Sequence, residues 1–107
     1  MSGIYLDHQS AHPVDDRVRA FAEKFLTADF GNPSALHSRG LAAKTALEEA
    51  RAKVAELIGA EGPETIIFTG SATEANNLAI RGLAARNAAK GKKLLASSIE
   101  HISVLNP

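Results

Sequence analysis

The sequence holds 107 residues, 45% hydrophobic and 22% charged, with 12 Lys plus Arg against 12 Asp plus Glu and no cysteine. That length sets one small core as the upper limit, and the composition is that of a globular chain rather than a disordered one. Balanced charge without a basic run excludes nucleic acid as an expected partner, and the missing cysteine excludes a disulfide, a thiolate metal site or a thiol nucleophile within these residues. No apolar stretch approaches the ~20 residues that span a bilayer, so no membrane partner is expected. The opening MSGIYLDHQS lacks the basic and apolar regions of a secretory leader, and a cytoplasmic setting is the expectation.

In chain order, residues 4–6 read as a short strand or extended arm, ended by Pro13, which biases His12 away from helical geometry. His8 and His12 are four apart, but on extended chain that span is about 13 Å, so no metal site is expected there. Val14, Val18, Phe21, Phe25 and Leu26 recur at helical spacing and predict a first helix of about three turns, with Asp15 and Asp16 where negative charge suits the macrodipole. Residues 28–34 are rich in turn formers and predict a loop. The longest helix is expected over roughly 36–58, with Ala43, Leu47, Ala50, Val54 and Leu57 on one face and Gly59 as its stop. Glu49 and Lys53 are oriented for a pair four residues apart, and Gly40 is a weak point near the start.

Residues 61–63 predict a turn, and the β-branched and aromatic run 65–69 a buried strand. The next helix carries an apolar face of Ala75, Leu78, Ala79, Leu83 and Ala89 and should stop near Gly91, before a second short strand at 94–96. Strand, helix and strand within about 30 residues form a βαβ unit with a right-handed crossover, so the fold class is α/β. Lys90, Lys92 and Lys93 read as a solvated helix end. Ile102, Val104 and Leu105 begin a further element close to Pro107. A parallel sheet of two or three strands leaves its edges and one face uncovered, so additional polypeptide is expected to complete the fold.

Chemistry concentrates at the junction of the first expected strand and the helix after it, Thr69-Gly70-Ser71-Ala72-Thr73-Glu74. A helix start presents unpaired N–H groups and a partial positive charge, which suits phosphate, and Gly70 permits close backbone approach. Ser71 and Glu74 equally satisfy the S-x-x-E capping box, which needs no ligand, and spacing alone does not choose between the two. The dinucleotide motif G-x-G-x-x-G and the nucleotide loop G-x-x-x-x-G-K-[ST] are both absent. His101, at the expected carboxyl end of the second strand, shares the rim where open α/β sheets place ligands. It could stack on a flat ring and exchange protons, or simply be a surface or capping residue. His37, beside Ser34 and Ser38, stays open between polar trim at a helix start and a site contributor.

Six blocks, IYLDHQ, PVDDRV, FGNPSALHSRG, the Ala-rich helix ending LIGA, IIFTGSATEANNLAIRG and SSIEHISVLNP, together resemble the opening of a cysteine desulfurase, within the class V aminotransferases. The resemblance covers nearly the whole chain in order. It implies a fold-type-I enzyme that binds pyridoxal 5′-phosphate, takes sulfur from L-cysteine, leaves L-alanine and supplies iron–sulfur cluster or thiolation pathways. On its motifs, Ala72 and Thr73 would hold the cofactor phosphate, and His101 would stack on the pyridine ring and take part in proton transfer. Asn32 and His37 lie in a matching block without an assigned step. Two departures stand out: Ser10-Ala11-His12-Pro13 replaces the family's A-T-T-P, and Gly70-Ser71 reverses its Ser-Gly order.

The resemblance makes residues 1–60 an arm with helices and residues 61–107 the start of the large cofactor-binding domain, all within one incomplete aminotransferase domain. The family's cofactor-holding lysine, its acidic partner for the pyridine nitrogen and its sulfur-accepting cysteine all belong to later sequence. These residues are therefore expected to be inactive without that part, which a homodimer or a complementing C-terminal polypeptide would supply. The competing expectations are a non-catalytic module or remnant that docks on a full-length desulfurase, and a fragment of a selenocysteine lyase or another class V aminotransferase.

Overall fold

The computed structural model describes residues 3–107, which divide into two compact units with the boundary between Thr65 and Ile66. The elements are α1 (Asp16–Thr27), α2 (Ser38–Ile58), a single 3₁₀ turn (Pro63–Thr65), α3 (Ala72–Arg86) and a short α4 (Ile102–Leu105).

In the first unit, Asp7 organises the arm. Its carbonyl accepts the N–H groups of Ser10 and Ala11, its carboxylate accepts the Ser10 hydroxyl, and the Tyr5 hydroxyl reaches the carbonyls of Asp7 and Ala11 at 2.8 and 3.0 Å. The turn folds the chain back, so the His8 and His12 rings lie 4.9 Å apart. This corrects the extended spacing expected for them: Asp7 supplies a local turn that the proline signal alone does not reveal.

α1 starts where the acidic pair predicts. Asp15 caps it, its carboxylate accepting the Arg17 N–H at 2.8 Å and the Arg17 side chain at 2.9 and 3.0 Å. Those contacts hold the Asp15 carboxyl below the ordinary aspartate value, first through the Arg17 side chain and then through its backbone N–H. The sign follows from linkage: a carboxyl lowered in the folded state contributes above its unfolded value, and the contribution disappears as pH falls through the lower folded value. We expect α1 helicity, followed by circular dichroism, to hold down to the ordinary carboxylate range and then fall. Asp15→Asn, which caps without titrating, should flatten that acid limb relative to the unaltered chain.

Phe21 and Phe25 meet edge to face one turn apart, with the Lys24 ammonium over both rings at 4.4 and 4.8 Å. No residue of α1 is buried. An open cleft of about 860 Å³ lined by Phe21, Phe25, Phe30, Ala46 and Ala50 separates this helix from α2.

The loop 28–37 is tied to the start of α2. Arg39 donates to the Ala28 carbonyl at 3.0 Å and lies over the Phe30 ring, while the Asn32 side chain accepts the Ser34 N–H. α2 ends at Gly59, whose left-handed backbone (φ 66°) lets the Ala60 N–H return to the Ala55 carbonyl, a C-terminal cap that a residue with Cβ adopts only under strain. Ala43, Leu47 and Val54 of the expected face are partly buried, and Ala55 is buried at 4% exposure, but Ala50 and Leu57 remain exposed. Among the described residues, Arg51 pairs with Glu48 at 3.2 Å in place of the expected Glu49–Lys53 pair. The 3₁₀ turn packs against α2 and is closed by the Thr65 N–H and hydroxyl, both donating to the Gly62 carbonyl.

In the second unit the largest correction concerns the βαβ unit. No strand forms among the described residues; 66–69 and 94–96 are irregular, and Leu95 is 99% exposed. The physical reason is that a parallel strand has no internal hydrogen bonds and exists only beside a neighbour. α3 also ends five residues before Gly91. Asn87 draws both its backbone N–H and its side-chain amide onto the Leu83 carbonyl, closing the helix with a local bond that further turns would need. The face of α3 that is partly covered carries Asn76, Ile80 and Ala84, not the expected Leu78 and Leu83, which stay exposed. Its partner is α4, where Ser103 is buried and Val104 partly so.

Candidate functional site

The start of α3 carries the anion-binding features that the sequence points to. Ser71, with extended backbone, is the N-cap, and its hydroxyl accepts the Glu74 N–H at 3.1 Å. Glu74 reaches back to accept the Gly70 N–H at 2.8 Å. The Thr69 hydroxyl donates to the Ser71 carbonyl, which in turn accepts the Ala75 N–H. The capping box left open by the spacing is therefore formed.

The cap does not use every donor. It engages the N–H groups of Gly70, Glu74 and Ala75, while those of Ala72 and Thr73 have no acceptor among the described residues, and neither does the exposed Thr73 hydroxyl. These are three donors at the positive end of a 15-residue helix, a set suited to the oxygens of one phosphate. The Glu74 carboxylate is turned back onto Gly70, and its own demand for donors is partly met there.

His101 does not sit at a strand end; it caps α4. Its Nδ1 accepts the Ser103 N–H at 3.2 Å and lies 2.8 Å from the Ser103 hydroxyl. Asn76 of α3 donates to that same hydroxyl at 2.9 Å. Two hydrogen bonds thus join His101 to α3 one turn beyond Ala72 and Thr73. Asn76 and Ser103 escaped the sequence reading because they are 27 residues apart. The usable signal was the Asn76-Asn77 pair set between Ala75 and Leu78 on a helix, polar groups that need a partner once covered.

Two further predicted residues have local tasks in the first unit. His37 caps α2 by accepting the Gly40 N–H at 3.3 Å, and Asn32 holds the loop turn. Among the described residues no group of three or more His, Cys, Asp or Glu is arranged to hold a metal ion, and no helix is long and apolar enough to cross a membrane.

Comparison with known proteins places this chain in a family. The chain is 53% identical over 103 residues to cysteine desulfurase IscS 1 of Archaeoglobus fulgidus, covering 96% of this chain and 27% of that protein. It is 45% identical over 104 residues to the cysteine desulfurase IscS of Dictyoglomus turgidum and 50% identical over 106 to that of Aeromonas hydrophila, covering 97% and 96% of this chain and 26% of each relative. The chain thus spans about a quarter of the length of these relatives. Residues 4–107 match the aminotransferase class-V model, so the chain belongs to the aminotransferase class-V family, a family of the fold-type-I class.

Proposed function

We propose that these residues form the N-terminal part of a cysteine desulfurase that works on L-cysteine with pyridoxal 5′-phosphate, the cofactor on which the family depends in general. The observation that carries the reading is the pair of unclaimed amides at Ala72 and Thr73, standing within a chain half identical to IscS proteins. The phosphate end of the cofactor fits this chain. Ala72 and Thr73 bind it through their N–H groups and the Thr73 hydroxyl, and Ser71 and Glu74 hold the loop in shape without occupying those donors.

When bound, the cofactor supplies an electron sink for breaking bonds around the substrate α-carbon. On this reading His101 would lie against its ring and handle a proton. The lysine that anchors the cofactor and the cysteine that receives sulfur come from the remaining three quarters of the protein. There, too, residues 66–69 and 94–96 find strand neighbours, and the exposed Leu78 and Leu83 face of α3 covers the resulting sheet. On this reading residues 61–107 begin the cofactor-binding domain, residues 1–60 form its arm and helices, and the protein works in the cytoplasm as a homodimer or with a complementing chain.

The test is complementation. Mixing this chain with a polypeptide bearing the remainder of a desulfurase should yield visible absorbance of bound coenzyme and sulfide release from L-cysteine. A soluble complex of the two with neither property would overturn the reading.

A further inference from the structure

We propose that Asn76 and Ser103 are positioning residues for His101, fixing the neutral ring in the form that carries its hydrogen on Nε2, so that His101 meets a ligand as a hydrogen donor. The inference deepens the reading of His101 given above and depends on that reading for the identity of the ligand.

The proton positions follow from the donors. A backbone N–H can only donate, and the Ser103 N–H points at Nδ1 from 3.2 Å. Nδ1 must then present its lone pair, and in a neutral imidazole the hydrogen is on Nε2. The Ser103 hydroxyl, 2.8 Å from the same nitrogen, has to donate to it as well. Its oxygen remains free to accept, and the Asn76 amide supplies a donor at 2.9 Å. Because the Asn76 nitrogen cannot accept, it does not compete for the hydroxyl hydrogen. Ser103 is 5% exposed, so water has little access to rearrange this chain of bonds.

The alternative tautomer conflicts with this arrangement. A hydrogen on Nδ1 would face the Ser103 N–H and force the hydroxyl to turn, leaving a covered backbone donor without an acceptor. Nδ1 is thus committed to the protein, and Nε2 is the nitrogen left for anything outside it. Accepting a proton at Nε2 from the neutral state requires the hydrogen to move to Nδ1 first, at the expense of the Ser103 bond. The network favours donation over abstraction at this position.

The same chain contains an internal contrast. The His12 Nδ1 lies 2.7 Å from the Pro13 carbonyl oxygen, an acceptor only, so His12 should carry its hydrogen on Nδ1. Long-range proton–nitrogen spectra of the full chain labelled at histidine, recorded at alkaline pH and assigned with His101→Gln, read both tautomers directly. We expect His101 to be the Nε2–H form and His12 the Nδ1–H form. Ser103→Ala should lower the His101 tautomer ratio about fivefold, the worth of one net hydrogen bond. Ser103→Thr, which keeps the hydroxyl, should restore it, and Asn76→Ala should shift the ratio the same way by a smaller factor. An Nδ1–H tautomer at His101 in the unaltered chain, or an unchanged ratio in both Ser103→Ala and Asn76→Ala, overturns the proposal. If Ser103→Ala does not fold, the unaltered chain and Asn76→Ala still decide. No coenzyme enters the measurement, so its failure and failure of the complementation test are separate results.

Discussion

Thr73→Glu is expected to weaken coenzyme binding by the reconstituted assembly about 100-fold while leaving the helix content of the chain unchanged. Thr73 is the second residue of α3, and its N–H and hydroxyl are two of the three donors that the cap leaves over. Loss of one hydrogen bond to a charged group is worth about 1.5–3 kcal/mol, or roughly 10- to 150-fold in affinity, and like-charge repulsion adds to that. The helix should tolerate the change, because a carboxylate in the first turn is favourable to the macrodipole. Glu74 already occupies that turn, but its carboxylate is directed back to the Gly70 N–H rather than across the Ala72 and Thr73 amides. A glutamate at position 73 has no such return path, since the Gly70 donor is taken. Thr73→Ser keeps the hydroxyl and should bind within a few-fold of the unaltered chain. The measurement is a fluorescence titration of pyridoxal phosphate into the assembly, with circular dichroism on the same samples. Affinity within threefold of normal for Thr73→Glu would remove the phosphate from this helix start.

Helix boundaries were legible wherever one residue supplies the signal. Asp15 starts α1, Gly59 stops α2, and Ser71 with Glu74 starts α3, each through a bond spanning five residues or fewer. Helix stops made by side-chain competition were less legible, and Asn87 ended α3 ahead of the more conspicuous Gly91. Strands were the poorest case. The run 65–69 has the right composition, but strand formation is decided by other chain, and no strand forms there among the described residues. The choice of face on α3 failed for a related reason. Leu78 and Leu83 mark the side with the larger apolar surface, whereas the contact actually made within this unit is with α4 through Asn76. Of the candidate site, the helix start at 69–74 and its capping box were legible from spacing, while Ala72, Thr73 and His101 were singled out as cofactor contacts by the family resemblance. Its two hydrogen-bonded supports are separated in sequence and became visible only with the packing of α3 on α4.

Gly40→Ala should destabilise the first unit by about 1 kcal/mol net, although the same exchange in a free helix would favour the helix by about 1 kcal/mol. Gly40 is the third residue of α2 and is buried. A Cβ added there would collide with the Ala35 carbonyl oxygen and lie 2.7 Å from its carbon and 2.8 Å from the Ala35 Cβ. These are backbone atoms and a methyl group, which cannot swing aside as a long side chain would. Relief requires the loop 28–37 to move off the start of α2. That movement strains the His37 cap on the Gly40 N–H and the Arg39 bond to the Ala28 carbonyl together. Overpacking of this kind costs roughly 1–3 kcal/mol, which exceeds the propensity gain. Gly82 supplies the opposite sign in the same chain. It lies inside α3 with nothing within 4 Å of an added Cβ, so Gly82→Ala should stabilise its helix by about 1 kcal/mol. Urea denaturation followed by circular dichroism on both variants separates the two effects. Stabilisation by Gly40→Ala equal to that of Gly82→Ala would mean that the loop does not rest on α2, and that the first unit lacks the close contact on which its helix start depends.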